Sequence, residues 1–278
     1  MTSTLSPSSR PNIISRLGSG LKGVITPQLP EKARPWNGAA GQLGLLAVMF
    51  LFYLAVRGLT QTSEDLALRN AYDVLRFETG IGIAWERSAQ QVLLDRSNLM
   101  AFFNWIYVWT YWPMLVGSLV LLWWRDKPRY LLFRDALIFS GAIGLVVFAL
   151  YPVAPPRFLN GFVDTVSATS RHVIAHPPAI INQFAALPSF HVGWHTLAAL
   201  MIASMVSAWF IRVLIMLPSA MMAISVVVTA NHYIVDAAAG MVLSLVGLAL
   251  IAKLRSRGSA VATSAQPLLR RTDQQILE

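Results

Sequence analysis

The stretch Ile234–Leu254, IVDAAAGMVLSLVGLALIAKL, identifies the class of protein, because it is 21 residues long and carries only two charged side chains. A helix needs about 20 mostly apolar residues to cross the hydrocarbon core of a bilayer. The stretch therefore predicts a transmembrane helix. Its two charges lie near its ends, at Asp236 and Lys253, and His232 stands just before it.

Five further apolar segments precede this one, so the expected fold is an all-α, integral membrane bundle of six transmembrane helices. They lie at about Gly41–Thr60, Phe103–Trp124, Leu131–Tyr151, Ser189–Ala208 and Phe210–Ala230. Pro113 is expected to kink the second of them. Only 13% of the residues are charged, whereas a soluble domain has about 25%. This composition argues against a soluble globule, a disordered chain and a nucleic-acid-binding domain.

The rest of the chain divides around the six-helix catalytic domain, residues 39–254. Residues 1–38 are basic and rich in Ser, Pro and Gly, which predicts a flexible cytoplasmic arm, and residues 255–278 form a polar cytoplasmic tail. Residues 62–97 alternate apolar and charged side chains at helical spacing, which predicts interfacial amphipathic helices on the extracytoplasmic side. Residues 152–187 are expected to form an outer loop. The chain has no cysteine, which excludes disulfides, thiolate metal sites and cysteine nucleophiles.

The distribution of Lys and Arg predicts the orientation. With the N-terminal arm in the cytoplasm, 15 of the 22 basic residues lie on the inner side and 7 on the outer side. Cytoplasmic loops of membrane proteins carry such an excess. The net charge of +9 thus indicates orientation, and we expect an integral protein of a bacterial plasma membrane with both termini cytoplasmic.

Ionisable residues at membrane depth are costly and indicate function. All five histidines fall on the outer side of this topology: His172, His176, His191, His195 and His232. Asp236 follows His232 by four residues, on the same helical face, and Arg157 lies just beyond the third helix. Residues from distant parts of the chain therefore meet at one depth, which predicts an outward-facing polar site.

The residue types in this set suit phosphoryl transfer. A carboxylate at Asp236 can fix the tautomer of His232 and leave its other ring nitrogen free to attack. Ser189 lies in the first turn of a helix that follows Pro188, and a helix N-terminus attracts anions. Arg157 adds a planar cationic group for a phosphate, and His191 can protonate a leaving oxygen.

Two other interpretations stay open. The pairs His172/His176 and His191/His195 have the spacing of a metal site, which would suit a metal-dependent membrane hydrolase. A non-enzymatic transporter or lipid-binding scaffold is the second alternative. The outer half of the second helix carries aromatic residues that form either an interfacial belt or the lining of a headgroup cavity: Trp105, Tyr107, Trp109, Tyr111 and Trp112.

At these positions the sequence resembles the type-2 phosphatidic acid phosphatase superfamily, over roughly residues 64–254. The family's Pro-Ser-Gly-His block is matched by Pro188-Ser189-Phe190-His191. Its Ser-Arg, five residues, His, three residues, Asp block is matched by Ser225-Val226, five residues, His232, three residues, Asp236. Its Lys, six residues, Arg-Pro block survives only as Arg157, with Leu150 in the lysine position. The YPVAPPR, LPSFH and HYIVD segments look closest to the inositol phosphorylceramide synthase branch.

The resemblance implies catalytic roles for three residues. His232 would attack phosphorus and form a phosphohistidine, Asp236 would orient His232, and His191 would protonate the leaving group. Arg157 and Ser189 would bind phosphate oxygens.

The resemblance also implies the kind of reaction, which needs no metal or other cofactor. The substrate would be a membrane lipid phosphoester. The acceptor would be a lipid or polyol hydroxyl in an inositolphosphotransferase-like enzyme, or water in a phosphatase. Two cationic ligands of the family are missing here, at Leu150 and Val226. The site is therefore expected either to prefer a less charged phosphodiester or to use Arg171, His172 or His195.

Overall fold

The computed structural model describes residues 38–60, 64–169 and 182–276. These residues are helical or irregular, and their only β-type contact is an isolated parallel bridge between Val153 and Ala185. The predicted all-α class is thus confirmed for the described part of the chain.

The helices are numbered here in chain order, and a short 3₁₀ turn, Pro156–Phe158, follows the sixth. Their bounds are α1 Ala39–Thr60, α2 Glu64–Gly80, α3 Glu86–Leu94, α4 Ser97–Trp109, α5 Tyr111–Arg125, α6 Lys127–Leu150, α7 Thr165–Thr169, α8 Phe190–Ala203, α9 Trp209–Val228 and α10 Ile234–Ile276.

Within the described residues, three helices are long and apolar enough to cross a membrane: α6, α9 and the Ile234–Arg257 part of α10. The pair α4 and α5 passes the same test as one span bent by 41°. Two more predicted spans correspond to shorter apolar helices, Ala40–Val56 within α1 and the 14-residue α8. The structure therefore supports a helical membrane protein with three or four spans, and the six-span topology stays a prediction.

The predicted kink in the second span is present, but it lies before the proline. α4 ends at Trp109 and α5 begins at Tyr111, with Thr110 at the break. Pro113 has no N–H, and its ring would clash with the carbonyl four residues earlier, which belongs to Trp109. The helix is therefore interrupted one turn ahead of Pro113.

Two helix ends differ from the expected bounds. α8 ends at Ala203, five residues earlier than predicted, where Ser204 donates to the Met201 carbonyl and accepts a bond from Arg129. α10 does not end at Leu254 but continues to Ile276 through the segment predicted as a polar tail.

α8 lies at the centre of the bundle and packs against α5, α6, α9 and α10. Its side chains Val192, Leu197 and Met201 are fully buried in the main apolar core. The outward sides of the neighbouring helices expose large apolar residues such as Leu217 and Val242. Exposed apolar surface of this kind is typical of a face that contacts lipid.

Two glycines allow α8 and α10 to touch at the backbone. A Cβ atom at Gly240 would lie 2.0 Å from the Ser189 carbonyl oxygen, and one at Gly193 would lie 2.3 Å from the Gly240 carbonyl oxygen. No side chain fits at such distances. The start of α8 is therefore held directly against the first turns of α10.

We expect Gly240→Ala to lower the thermal unfolding midpoint of the detergent-solubilised protein, since overpacking costs about 1–3 kcal/mol. Gly117→Ala is the matched control, because Gly117 is also helical and has no atom within 4 Å of a built Cβ. It should leave the midpoint unchanged or raise it slightly. Equal midpoints for the two variants would contradict the close helix crossing.

Candidate active site

The turn between α9 and α10 presents His232 at the start of α10. The backbone N–H groups of Asn231 and His232 both donate to the Val226 carbonyl, at 3.0 Å each. Ala230 has a φ of 55°, a left-handed conformation that non-glycine residues rarely adopt. Backbone strain of this kind persists only where the surroundings over-determine it, and it often marks functional sites.

The imidazole of His232 is held by a backbone carbonyl and a carboxylate. Its Nδ1 lies 2.8 Å from the Ala186 carbonyl oxygen and 3.6 Å from Oδ2 of Asp236. Because a carbonyl only accepts hydrogen bonds, Nδ1 carries the proton, and the lone pair is on Nε2. The sequence predicted the carboxylate, whereas Ala186, which makes the direct hydrogen bond, was not anticipated.

Asp236 is fully buried and connects the two helix starts. Its Oδ2 accepts from the backbone N–H of Tyr233 at 3.0 Å, and its backbone carbonyl accepts from the N–H of Ser189 at 3.0 Å. Its Oδ1 has no hydrogen-bond partner among the described residues. The negative charge of Asp236 is thus directed at His232 and the first turn of α10.

Ser189 is the N-cap of α8, and its hydroxyl accepts from the Val192 N–H at 3.4 Å. The ring of the next residue, Phe190, lies against Gly144 of α6, where a Cβ would be 2.2 Å from its Cζ atom. Ser189 therefore fixes the start of α8 beside α10. Its predicted contact with a phosphate oxygen stays a prediction.

His191 faces His232 across the site, with 5.7 Å between the ring centroids. Tyr107 stacks on the His191 ring at 4.8 Å, and Tyr111 contacts it at 4.5 Å. These two tyrosines flank the break between α4 and α5. The bend in that helix pair thus turns part of the aromatic cluster towards the site.

Arg157 is anchored to the same turn as His232. Its backbone N–H donates to the Ala230 carbonyl at 2.9 Å, and its Nη1 donates to the side-chain oxygen of Asn231. Its Nε lies 3.8 Å from Oδ2 of Asp164. The predicted convergence of Arg157 and His232 is present in the structure, but neither Asn231 nor Asp164 was anticipated.

Two side-chain amides hold the backbone on either side of Asp164. Gln90 exchanges two hydrogen bonds with the backbone of Val163, at 2.9 and 3.0 Å. Asn104 accepts from the Thr165 hydroxyl at 2.9 Å and donates to the Thr165 carbonyl at 3.0 Å. Asp164 is therefore fixed beside Arg157 by α3 and α4.

Two buried glutamates reach the start of α10 from the amphipathic segment. Oε1 of Glu86 accepts from the Ile234 N–H at 2.9 Å, and Oε1 of Glu78 accepts from the Val235 N–H at 2.7 Å. Both side chains have no solvent exposure. Sequence reasoning missed them because charged residues between apolar ones normally form a solvated face.

His195, another predicted ligand, does not join this cluster, and the two positions that lack the family's cations carry apolar side chains. His195 lies one turn deeper, where its Nδ1 is 2.9 Å from the Ser219 hydroxyl and its Nε2 is buried with no hydrogen-bond partner in the described residues. Leu150 is 78% exposed, and Val226 is buried in α9. Arg171 lies outside the described residues.

Of the two histidine pairs proposed for a metal, His191/His195 lies within the described residues and His172/His176 lies outside them. Within the ranges that the structure describes, no three His, Asp or Glu side chains converge in a way that suits a metal ion.

The assembled residues have the chemistry for transfer of a phosphoryl group. They place a histidine whose Nε2 carries the lone pair opposite a second histidine, with a guanidinium nearby. A family model described as the PAP2 superfamily matches residues 72–250, which contain all of these side chains. No curated protein and no solved structure matches the chain.

We expect Asn231→Ala to reduce kcat/KM for a lipid phosphoester roughly tenfold, because a hydrogen bond to a charged group is worth about 1.5 kcal/mol. The variant leaves Nη1 of Arg157 without its side-chain acceptor. Asn98→Ala, at an exposed position on α4, is the control and should keep full activity. Equal activity of the two variants would show that Asn231 does not position Arg157.

Proposed function

The chain belongs to the PAP2 superfamily, and we propose that it transfers a phosphoryl group or phospho-headgroup from a membrane lipid phosphoester through a phosphohistidine. Membership of the superfamily indicates a lipid phosphatase or phosphotransferase. The observation that carries the mechanism is the setting of His232, whose Nδ1 is held by Ala186 and Asp236 while His191 faces its ring.

In the first step, Nε2 of His232 attacks phosphorus and the bond from phosphorus to the leaving oxygen breaks. The imidazolium of His191 gives its proton to that oxygen. The ring of His232 gains positive charge, which Asp236 and the Ala186 carbonyl stabilise. The product is a phosphohistidine, which keeps the headgroup when the donor is a diester.

In the second step, a hydroxyl oxygen attacks phosphorus and the bond to Nε2 breaks. His191 takes the proton of the hydroxyl group, so that both histidines return to their initial state. When the acceptor is a lipid or polyol hydroxyl, the enzyme is an inositolphosphotransferase-like transferase. When the acceptor is water, it is a lipid phosphate phosphatase, which is the alternative.

The charges near the site favour a donor phosphate with a single negative charge. Arg157 binds a phosphate oxygen in this proposal, together with Ser189, yet Asp164 lies 3.8 Å from its Nε and offsets part of its charge. The two family positions that would add cations carry Leu150 and Val226. A phosphodiester suits this balance better than a dianionic monoester, which supports transfer of a phospho-headgroup.

The site is proposed to face the extracytoplasmic side of a bacterial plasma membrane. Its residues lie at one end of the bundle, after α6 and at the starts of α8 and α10. Ion pairs occupy the opposite ends of these helices, where Arg129 contacts Asp126, and Asp135 contacts both Arg134 and Arg255. The excess of basic residues on that side supports a cytoplasmic location for both termini.

A panel of labelled lipids tests the proposal with the full chain in detergent or vesicles. Phosphatidic acid, a polyprenyl phosphate and phosphatidylinositol serve as donors, with and without a ceramide or diacylglycerol acceptor. We expect turnover of at least one donor. We expect His232→Ala and Asp236→Ala to lose roughly a thousandfold or more in kcat, as loss of such groups does in other covalent catalysts.

Asp73→Ala is the control for Asp236→Ala, because Asp73 is an exposed acid on α2. It should retain full activity. Retained activity in both site variants would contradict the phosphohistidine mechanism. Activity that EDTA removes and zinc restores would favour a metal-dependent hydrolase, and no turnover of any lipid would favour a transporter or scaffold.

A further inference from the structure

We propose that Glu78 and Glu86 are positioning residues, which hold the first turn of α10 and thereby align Asp236 and His232 for the reaction. This inference rests on the proposed function, because it assigns these residues to the same site. Neither side chain is placed to touch the substrate through the contacts that the structure describes.

Three successive backbone N–H groups lie where α10 begins, at Tyr233, Ile234 and Val235, and a carboxylate oxygen accepts from each. Asp236 binds the N–H of Tyr233, Glu86 that of Ile234 and Glu78 that of Val235. The first N–H groups of a helix have no partner within the helix. Here the amphipathic helices α2 and α3 supply two of the three partners, so their position determines that of α10.

This arrangement differs from an ordinary helix cap. A capping side chain normally comes from the residue just before the helix, whereas Glu86 and Glu78 lie 148 and 157 residues away from the amides that they bind. Both carboxyl groups are fully buried and have no basic partner among the described ion pairs. Buried carboxylates are costly, which indicates that they serve a purpose beyond capping.

The two carboxyl groups are neighbours, and the contact between them helps to raise the pKa of Glu78. Each Oε1 is occupied by a backbone N–H, and neither Oε2 meets another donor in the described part of the chain. A single proton between the two Oε2 atoms satisfies both. Burial, and next the contact with Glu86, raises the pKa of Glu78 to about 9, which places this proton on Glu78 at neutral pH.

The acidic groups that face Glu78 explain why one proton must remain between the carboxyl groups. Glu86 approaches from α3, while Asp236 and the Tyr233 phenol approach from α10 and the residue before it. His232 lies beyond Asp236. Ionisation of all three acids would place three negative charges at the start of α10, and their repulsion would displace Asp236 and disturb the alignment of His232.

Glutamine substitutions separate proton sharing from simple capping. Glu78→Gln can still accept from Val235, and its amide can donate to Glu86, so we expect kcat within about threefold of wild type. Glu86→Gln should behave similarly, because its amide group can donate to Oε2 of Glu78 while its Oε1 still accepts from Ile234. In the double variant two amide NH₂ groups face each other, and neither supplies an acceptor for the other. We expect its kcat to fall about thirtyfold or more with little change in KM.

Glu78→Ala should lower kcat by a similar factor at neutral pH. Glu64→Ala is its control, because Glu64 is an exposed acid on the same helix. Wild-type activity should fall as the pH rises through about 9, whereas Glu78→Gln should lack this fall. A loss in Glu78→Gln as large as in Glu78→Ala would overturn the proposal. Additive small losses in the double variant, or an unchanged alkaline limb, would also overturn it.

The thermal midpoint provides a readout that does not depend on the proposed function. The pKa of Glu78 is higher in the folded chain than its ordinary value of 4.5, so the stability that its proton supplies is complete below pH 4.5. It is lost as the pH rises through about 9. Wild type should therefore lose stability over this range, and Glu78→Gln should lose less. If the thermal midpoints of wild type and Glu78→Gln changed equally with pH, the shared proton would be contradicted. This holds even if the protein turns over no lipid substrate.

Discussion

The contact between the first turns of α8 and α10 is the constraint on which the rest of the site depends. Gly240 leaves room for the Ser189 carbonyl, and the Ser189 N–H donates to the Asp236 carbonyl. Because α8 carries His191 and α10 follows directly from His232, this single contact sets the distance between the two imidazoles. A side chain between the helices would separate them.

A second constraint is the balance of charge among the buried and half-buried groups of the site. Arg157, Asp236 and Glu86 each have a partner of opposite charge or a hydrogen bond, and an unpaired buried charge would be strongly destabilising. Arg157 meets Asn231 and Asp164, and Asp236 meets His232. In our account the site is thus close to neutral before the substrate binds, and one proton held by the acids from α2 and α3 maintains that balance.

Much of this arrangement could be predicted from the sequence, because apolar length and topology bring His191, His232, Asp236 and Arg157 to one end of the bundle. The partners of these residues could not be predicted in the same way. The Ala186 carbonyl has no signal in a side-chain pattern, and Glu78 looks like any charge on an amphipathic helix. Helix ends could not be predicted as closely, since local caps and Pro113 decide them.

The most direct test of the central claim is mass spectrometry of the full chain, quenched during turnover of a lipid phosphoester. We expect a covalent phosphoryl or phospho-headgroup adduct on the peptide that contains His232. The adduct should be labile in acid and stable in base, and it should disappear when an acceptor alcohol is added before quenching. Turnover with no adduct, or with an adduct on another residue, would contradict the proposed role of His232.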